Sequence, residues 1–191
     1  MNMRKLFTFL SLVICGLFSS APQAKADACS ALVNGHPNIV NNCGFETGSF
    51  SSWTIGGNTA NPGANYYGVD SFDAHSGNDG AFISQDFVDG GKVPVTLSQT
   101  LATTAGSEYE VSFWLEQDTP PTTGYTHAFS AVFGSTTMLS LSPTVTVPGT
   151  VGSFVDYTFF ETATSAATTI NFSFENDDNY WSFDDVSVTT P

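Results

Sequence analysis

Apolar and polar residues alternate with a period of two through most of this chain, and a helical period is nearly absent. Tyr109, Val111, Phe113 and Leu115 fall on one side of a strand, with Glu110, Ser112, Trp114 and Glu116 on the other. Ile170, Phe172 and Phe174 oppose Asn171, Ser173 and Glu175 in the same way. Runs of this kind, bounded by Gly, Pro, Asn and Asp, cover Asn38 to Val40, Phe50 to Ile55, Tyr66 to Val69, Ala81 to Phe87, Val95 to Leu101 and Tyr109 to Glu116. They continue over Tyr125 to Phe133, Thr137 to Leu141, Phe154 to Thr162, Thr168 to Glu175 and Tyr180 to Thr189. About ten short strands at such spacing predict an all-β antiparallel sandwich. Thr and Ser fill its solvent faces, and Phe, Val and Leu its interior.

Residues 1–26 lie outside this pattern. Arg4 and Lys5 precede an apolar run from Leu6 to Phe18, and Ala24-Lys25-Ala26 follows. That order is the order of a secretory signal peptide, with cleavage expected before Asp27. The apolar run is too short to span a membrane comfortably. No second long apolar stretch follows, so the mature chain is expected to be exported, secreted or periplasmic, and free of a membrane span. An N-terminal arm over 27–37 then leads into one domain over 38–191.

Loss of the leader sharpens the charge. The full chain carries −14, with four Lys and Arg against 18 Asp and Glu. Arg4, Lys5 and Lys25 leave with the leader, so Lys92 alone faces all 18 carboxylates, a net charge of −17. This surface repels phosphate backbones and excludes nucleic acid as a partner. Cys15 leaves as well, and the remaining Cys29 and Cys43 are read as one disulfide of an exported chain. Closing its loop of roughly 15 residues contributes about 3 kcal/mol in the chain-entropy account.

"SFDDVSV", Ser182 to Val188, closes the pattern with a puzzle. A period-two count puts Asp184 on the same face as Val186 and Val188, where an unpaired charge is costly. With only Lys92 available as a basic partner, a metal ion is the simplest way to neutralise Asp184. His36, His75 and His127 show no metal-ligand spacing. "DAHSGNDG" (Asp73 to Gly80) lacks the spacing and closing Glu of an EF-hand loop and reads as a turn.

Four motifs in order carry a family resemblance: "GFETGSFSSW" from Gly44, "HSGNDGAF" from His75, "TLSQTLATTAGSEYEVSFWL" from Thr96 and "YWSFDDVSV" from Tyr180. Together, over about residues 38–189, the chain resembles carbohydrate-binding-module-like domains with the galactose-binding-like jelly-roll fold. The resemblance implies a structural calcium between the first and last strands, held by the Glu46 and Asp184 carboxylates and main-chain oxygens around Gly44 and Ser76. A hard cation of this kind takes six to eight oxygens. The alternative is that Glu46 and Asp184 cap backbone amides. Asp185, on the opposite parity, is expected to be solvated or bonded to a loop.

Sugars present C–H faces to aromatic rings and hydroxyls to amides and carboxylates. The candidate ligand contacts are therefore Trp114 with Glu116 and Gln117, Tyr66 with Tyr67, and Asn176 and Asn179 in "ENDDNY". Trp53 and Trp181 are expected to pack inside. No Gly-x-Ser-x-Gly, phosphate loop or Cys–His pairing survives in the mature chain, and the chain is read as no enzyme. The expected function is that of a monomeric, non-catalytic glycan-binding module. The alternative is an extracellular structural or adhesive protein without specific sugar binding.

Overall fold

The computed structural model describes residues 32–33, 35–57, 59, 67–84, 93–120, 126–141, 151–177 and 179–191. Two five-stranded antiparallel sheets face each other as a jelly-roll sandwich, as the alternation predicts. The first sheet has the order β10 (Val155–Thr162), β7 (Glu108–Gln117), β12 (Trp181–Thr189), β5 (Gly80–Ile83), β4 (Tyr67–Asp70). The second has the order β3 (Thr54–Gly57), β6 (Val95–Ala102), β11 (Ala167–Asn176), β8 (His127–Phe133), β9 (Thr136–Leu141). From β5 onward the chain passes repeatedly between the sheets, so each buries its inner face against elements distant in sequence. A two-stranded ribbon, β1 (Leu32–Val33) with β2 (His36–Pro37), precedes the sandwich; the sequence reading left it as an arm. The remainder of the expected strand over 81–87, the leader and Cys29 lie outside the described residues.

The interior is phenylalanine-rich for a simple reason. Alternate residues of β7, β8, β11 and β12 are apolar, and a ring spans the gap between sheets better than an aliphatic side chain. Phe183 of β12 lies at the centre. Its ring centroid is 4.7 Å from Phe172, 5.3 Å from Phe174, 5.8 Å from Phe113 and 6.1 Å from Phe45. Trp53 and Trp181 are buried, and the indole N–H of Trp181 donates to the Glu175 carbonyl at 3.0 Å. The sandwich interior takes both tryptophans, as expected.

All nine residues of β12 are buried. The strand is central in its sheet, and beyond Phe183 the edge away from β7 is taken by the chain's own N-terminal segment. Ile39 N–H donates to Val188 O at 3.0 Å and Val186 N–H to Cys43 O at 2.9 Å. The Asn38 amide completes the seam, donating to Val186 O at 3.2 Å and accepting from Val188 N–H at 3.0 Å. Cys43 is buried beside this seam.

The phase of β12 departs from the period-two count. Asp184 pairs with Trp114 but Ser187 with Ser112, so a bulge separates them, and Asp185 occupies the left-handed region at φ 53°. Asp tolerates that conformation better than most residues. The bulge returns Val186 and Val188 to the core and leaves Asp184 on the outer face with Ser182 and Trp114. The expected pairing of Asp184 with the two valines is therefore corrected.

Because Phe183 touches rings from both sheets, Phe183→Ala should destabilise the fold by about 3–5 kcal/mol. Urea unfolding would read this as a lower midpoint at unchanged slope.

Candidate functional site

Asp184 faces outward yet is fully buried, because the loop between β4 and β5 lies across it. Its Oδ2 accepts the backbone N–H of His75 at 2.9 Å and of Ser76 at 3.1 Å, and its Oδ1 accepts Asp185 N–H at 2.8 Å. Burial and the neighbouring Asp185 raise its pKa to about 8, against the lowering effect of those three amides. Asp185 is bonded to the same loop and is not solvated. It accepts from the Ser76 hydroxyl at 2.8 Å and contacts His75 Nδ1 at 2.6 Å.

Glu46 grips the next residues of that loop. Its Oε1 accepts Asn78 N–H at 2.8 Å and Asp79 N–H at 3.1 Å, and its Oε2 accepts the Asn78 amide at 3.2 Å. Gly77 makes the approach possible. It sits at φ +63°, and a Cβ there would lie 2.0 Å from Glu46 Oε1. The two carboxylates expected to share an ion thus meet one loop at different places. Among the described residues no three of His, Cys, Asp or Glu are grouped to hold a metal ion.

Next to this clip the outer face of the first sheet opens into a cleft of about 510 Å³. Glu116 of β7, Ser182 of β12, Phe82 of β5 and Asp70 of β4 form its floor; Phe72, Asp73, Asp118 and Tyr180 rise around it. Phe82 and Tyr180 meet edge to face at 5.5 Å. The Asp70 carboxylate accepts Phe72 N–H at 2.8 Å and Asp73 N–H at 3.3 Å, a turn that projects Phe72 outward, 93% exposed. Phe72 thus stands at the rim of the cleft that Phe82 and Tyr180 also line. Asp73 accepts a hydrogen bond from the Ser182 hydroxyl, and burial, then Asp70 and Asp118, raise its pKa to about 6. Glu116 is raised as well, by burial and then by Asp118 and Asp73.

The residues expected to touch a ligand separate into different environments. Glu116 lines the cleft. Trp114 is on the outer face as predicted, but His75 covers one face of its indole, stacked at 3.7 Å and 12°, with Phe154 edge-on to His75. Gln117 and Asn176 are fully buried and face the interior, which removes them from any open surface. Tyr67 pairs with Ile83 on the inward side and packs near Phe50. Asn179 is occupied locally, donating to the Thr119 hydroxyl and accepting from Tyr180 N–H. Tyr66 lies outside the described residues. Sequence reasoning missed Phe72, Asp73 and Phe82, while Tyr180 closes the candidate stretch "ENDDNY". A signal existed for Phe82: alternation within β5 sends Ala81 and Ile83 inward and Phe82 out, opposite Ser182.

A hollow of about 360 Å³ on the second sheet is lined by Pro94, Ala128, Phe129, Ser130, Ser140, Leu141, Ser173 and Glu175. Among the described residues that line it, the one ring, Phe129, belongs to the core.

Asp73 gives a stability signature. A carboxyl whose folded pKa is raised contributes fully below its unfolded value and loses that contribution as pH rises through the folded one. Unfolding midpoints should therefore fall between about pH 4 and pH 6. Asp73→Asn, which can still accept from Ser182, should make that fall shallower in thermal melts, with Asp184 and Glu116, also raised, supplying the remainder.

No family model matches the chain, and no curated protein matches it. Solved structures do match, in fold. TmCBM61 in complex with β-1,4-galactotriose aligns with TM-score 0.58 and 19% identity, over 81% of this chain and 99% of that one. The K1 cleaved adhesin domain of Lys-gingipain from Porphyromonas gingivalis W83 aligns at 0.55 and 15%, over 78% and 96%. A cyclase from Fischerella sp. TAU aligns at 0.53 and 14%, over 80% and 95%. The chain has the jelly-roll fold that carbohydrate-binding modules share with adhesin domains and with at least one enzyme.

Proposed function

We propose that this chain is an exported, non-catalytic module that binds a glycan in the cleft bounded by Phe72, Phe82 and Tyr180. The carrying observation is the almost fully exposed Phe72 at the rim of a cleft whose floor holds Glu116 and Ser182. Aromatic rings stack on the C–H faces of a pyranose, and the carboxylates accept its hydroxyls. Four carboxylates, those of Asp70, Asp73, Glu116 and Asp118, would orient the sugar. The fold shared with carbohydrate-binding modules supports the reading without fixing the ligand.

The adhesive alternative draws on the likeness to the adhesin domains, and it predicts no saturable glycan binding. A glycan array that includes β-1,4-linked galactans, followed by titration calorimetry, separates the two. Phe72→Ala should weaken binding about tenfold, the equivalent of one lost stacking contact of about 1.4 kcal/mol. Glu116→Gln should also weaken it, and neither should move the thermal midpoint by more than a degree or two. An array without a hit, or affinity unchanged in Phe72→Ala, would defeat the reading.

Export through the leader and the Cys29–Cys43 disulfide belong to the same proposal. Among the described residues no helix is long and apolar enough to cross a membrane. Intact mass of the exported protein should begin at Asp27, and both cysteines should resist alkylation until reduced.

A further inference from the structure

The carboxylates at which the family resemblance would place a calcium are already engaged by the protein's own donors, each at three of its four lone-pair sites. Asp184 Oδ2 accepts two backbone amides, and Glu46 Oε1 accepts two more. A carboxylate oxygen offers two lone pairs, so neither atom has one left for an ion. The remaining oxygens also have donors: Asp185 N–H on Asp184 Oδ1, the Asn78 amide on Glu46 Oε2, and Ser76 and His75 on Asp185. Calcium takes six to eight oxygens, each presenting a lone pair. Glu46 and Asp184 together have two lone pairs left, one on each carboxylate, well short of that number.

The backbone is built around these bonds. Gly77 at φ +63° lets the Glu46 carboxylate press against the loop, where a Cβ would lie 2.0 Å from its oxygen. The bulge at Asp185 turns a second carboxylate under the loop beside the first. His75 then closes the arrangement from above, one side against Asp185 and its ring face against Trp114. Two independent carboxylate grips, Glu46 on residues 78 and 79 and the Asp184–Asp185 pair on residues 75 and 76, do by hydrogen bonding what an ion would do by ligation.

We propose that the loop from His75 to Asp79 is fastened by a calcium-free clip of Glu46, Asp184 and Asp185, a departure from the ion-bound arrangement that the family resemblance implies. The clip holds the segment that also carries Phe72 and Asp73, so it positions one wall of the cleft.

The test uses the exported protein, stripped of metal and checked by elemental analysis. Melting curves with chelator and with millimolar calcium should coincide, and calorimetric titration of calcium should give no stoichiometric heat. Ser76→Ala, which removes one donor to Asp185, should lower the midpoint by several degrees equally in chelator and in calcium. Gly77→Ala should do the same more severely. A calcium-dependent rise of several degrees that disappears in both Glu46→Gln and Asp184→Asn would overturn the proposal. A calcium response that survives both substitutions would come from another site and leave the clip standing.

Discussion

The strand β12 must be buried on both faces, and the rest of the molecule is arranged around that requirement. One face is satisfied by apolar side chains: Phe183 meets the rings of the opposite sheet, and Val186 and Val188 are buried in the same core. The other face carries Ser182, Asp184, Ser187 and Thr189, which cannot be covered by a hydrophobic layer without leaving donors and acceptors unmet. A loop whose amides turn inward answers that need. Polar cover on one side and aromatic cover on the other thus meet in a single strand.

The cover has an electrostatic consequence for the sheet it caps. Carboxylates gather on the outer face of the β10-β7-β12-β5-β4 sheet, with Glu110 and Glu116 on β7, Asp156 on β10 and Asp70 at the end of β4. The outer face of the second sheet is mostly hydroxyls, as in the Thr100–Thr169 pair at 3.2 Å. No Lys or Arg occurs among the described residues, so none of those residues sets a Lys or Arg charge against the carboxylates of the first face. The raised pKa values of Asp73 and Glu116 follow from burial combined with that crowding. A neutral sugar is a sensible occupant of such a surface, because its hydroxyls satisfy carboxylates without demanding that they be discharged.

The sheets were legible in the sequence because alternation reports directly on which side chains face an interior. Phe172 and Phe174, and Val111 and Phe113, lie where the period places them. The phase of Asp184 was not, since a bulge inserts one residue into the count and a strand pattern carries no mark of it. The doubled Asp before Val186 was the available hint, as Asp accepts a left-handed backbone where a branched residue would not. The ligand residues were harder still. Gln117 and Asn176 looked like surface amides beside a turn, yet they end strands that run into the core. Phe72 was passed over because an aromatic ring next to a Ser-Asp turn has no periodic neighbour to betray its direction.

The strand order carries a kinetic consequence. The final strand in the sequence is not an edge; it sits between β7 and β5, and the Asn38–Cys43 segment zips along its far half. Before β12 arrives, β10 with β7 and β5 with β4 are two separate ribbons, and such ribbons are marginal in water. The first sheet therefore cannot close until Trp181–Thr189 is available, and the contacts that close it join residues about 150 positions apart, as Asn38 joins Val188. Loop closure over such distances makes folding slow. Commitment to the native state therefore waits on β12, whichever of the other strands have already paired.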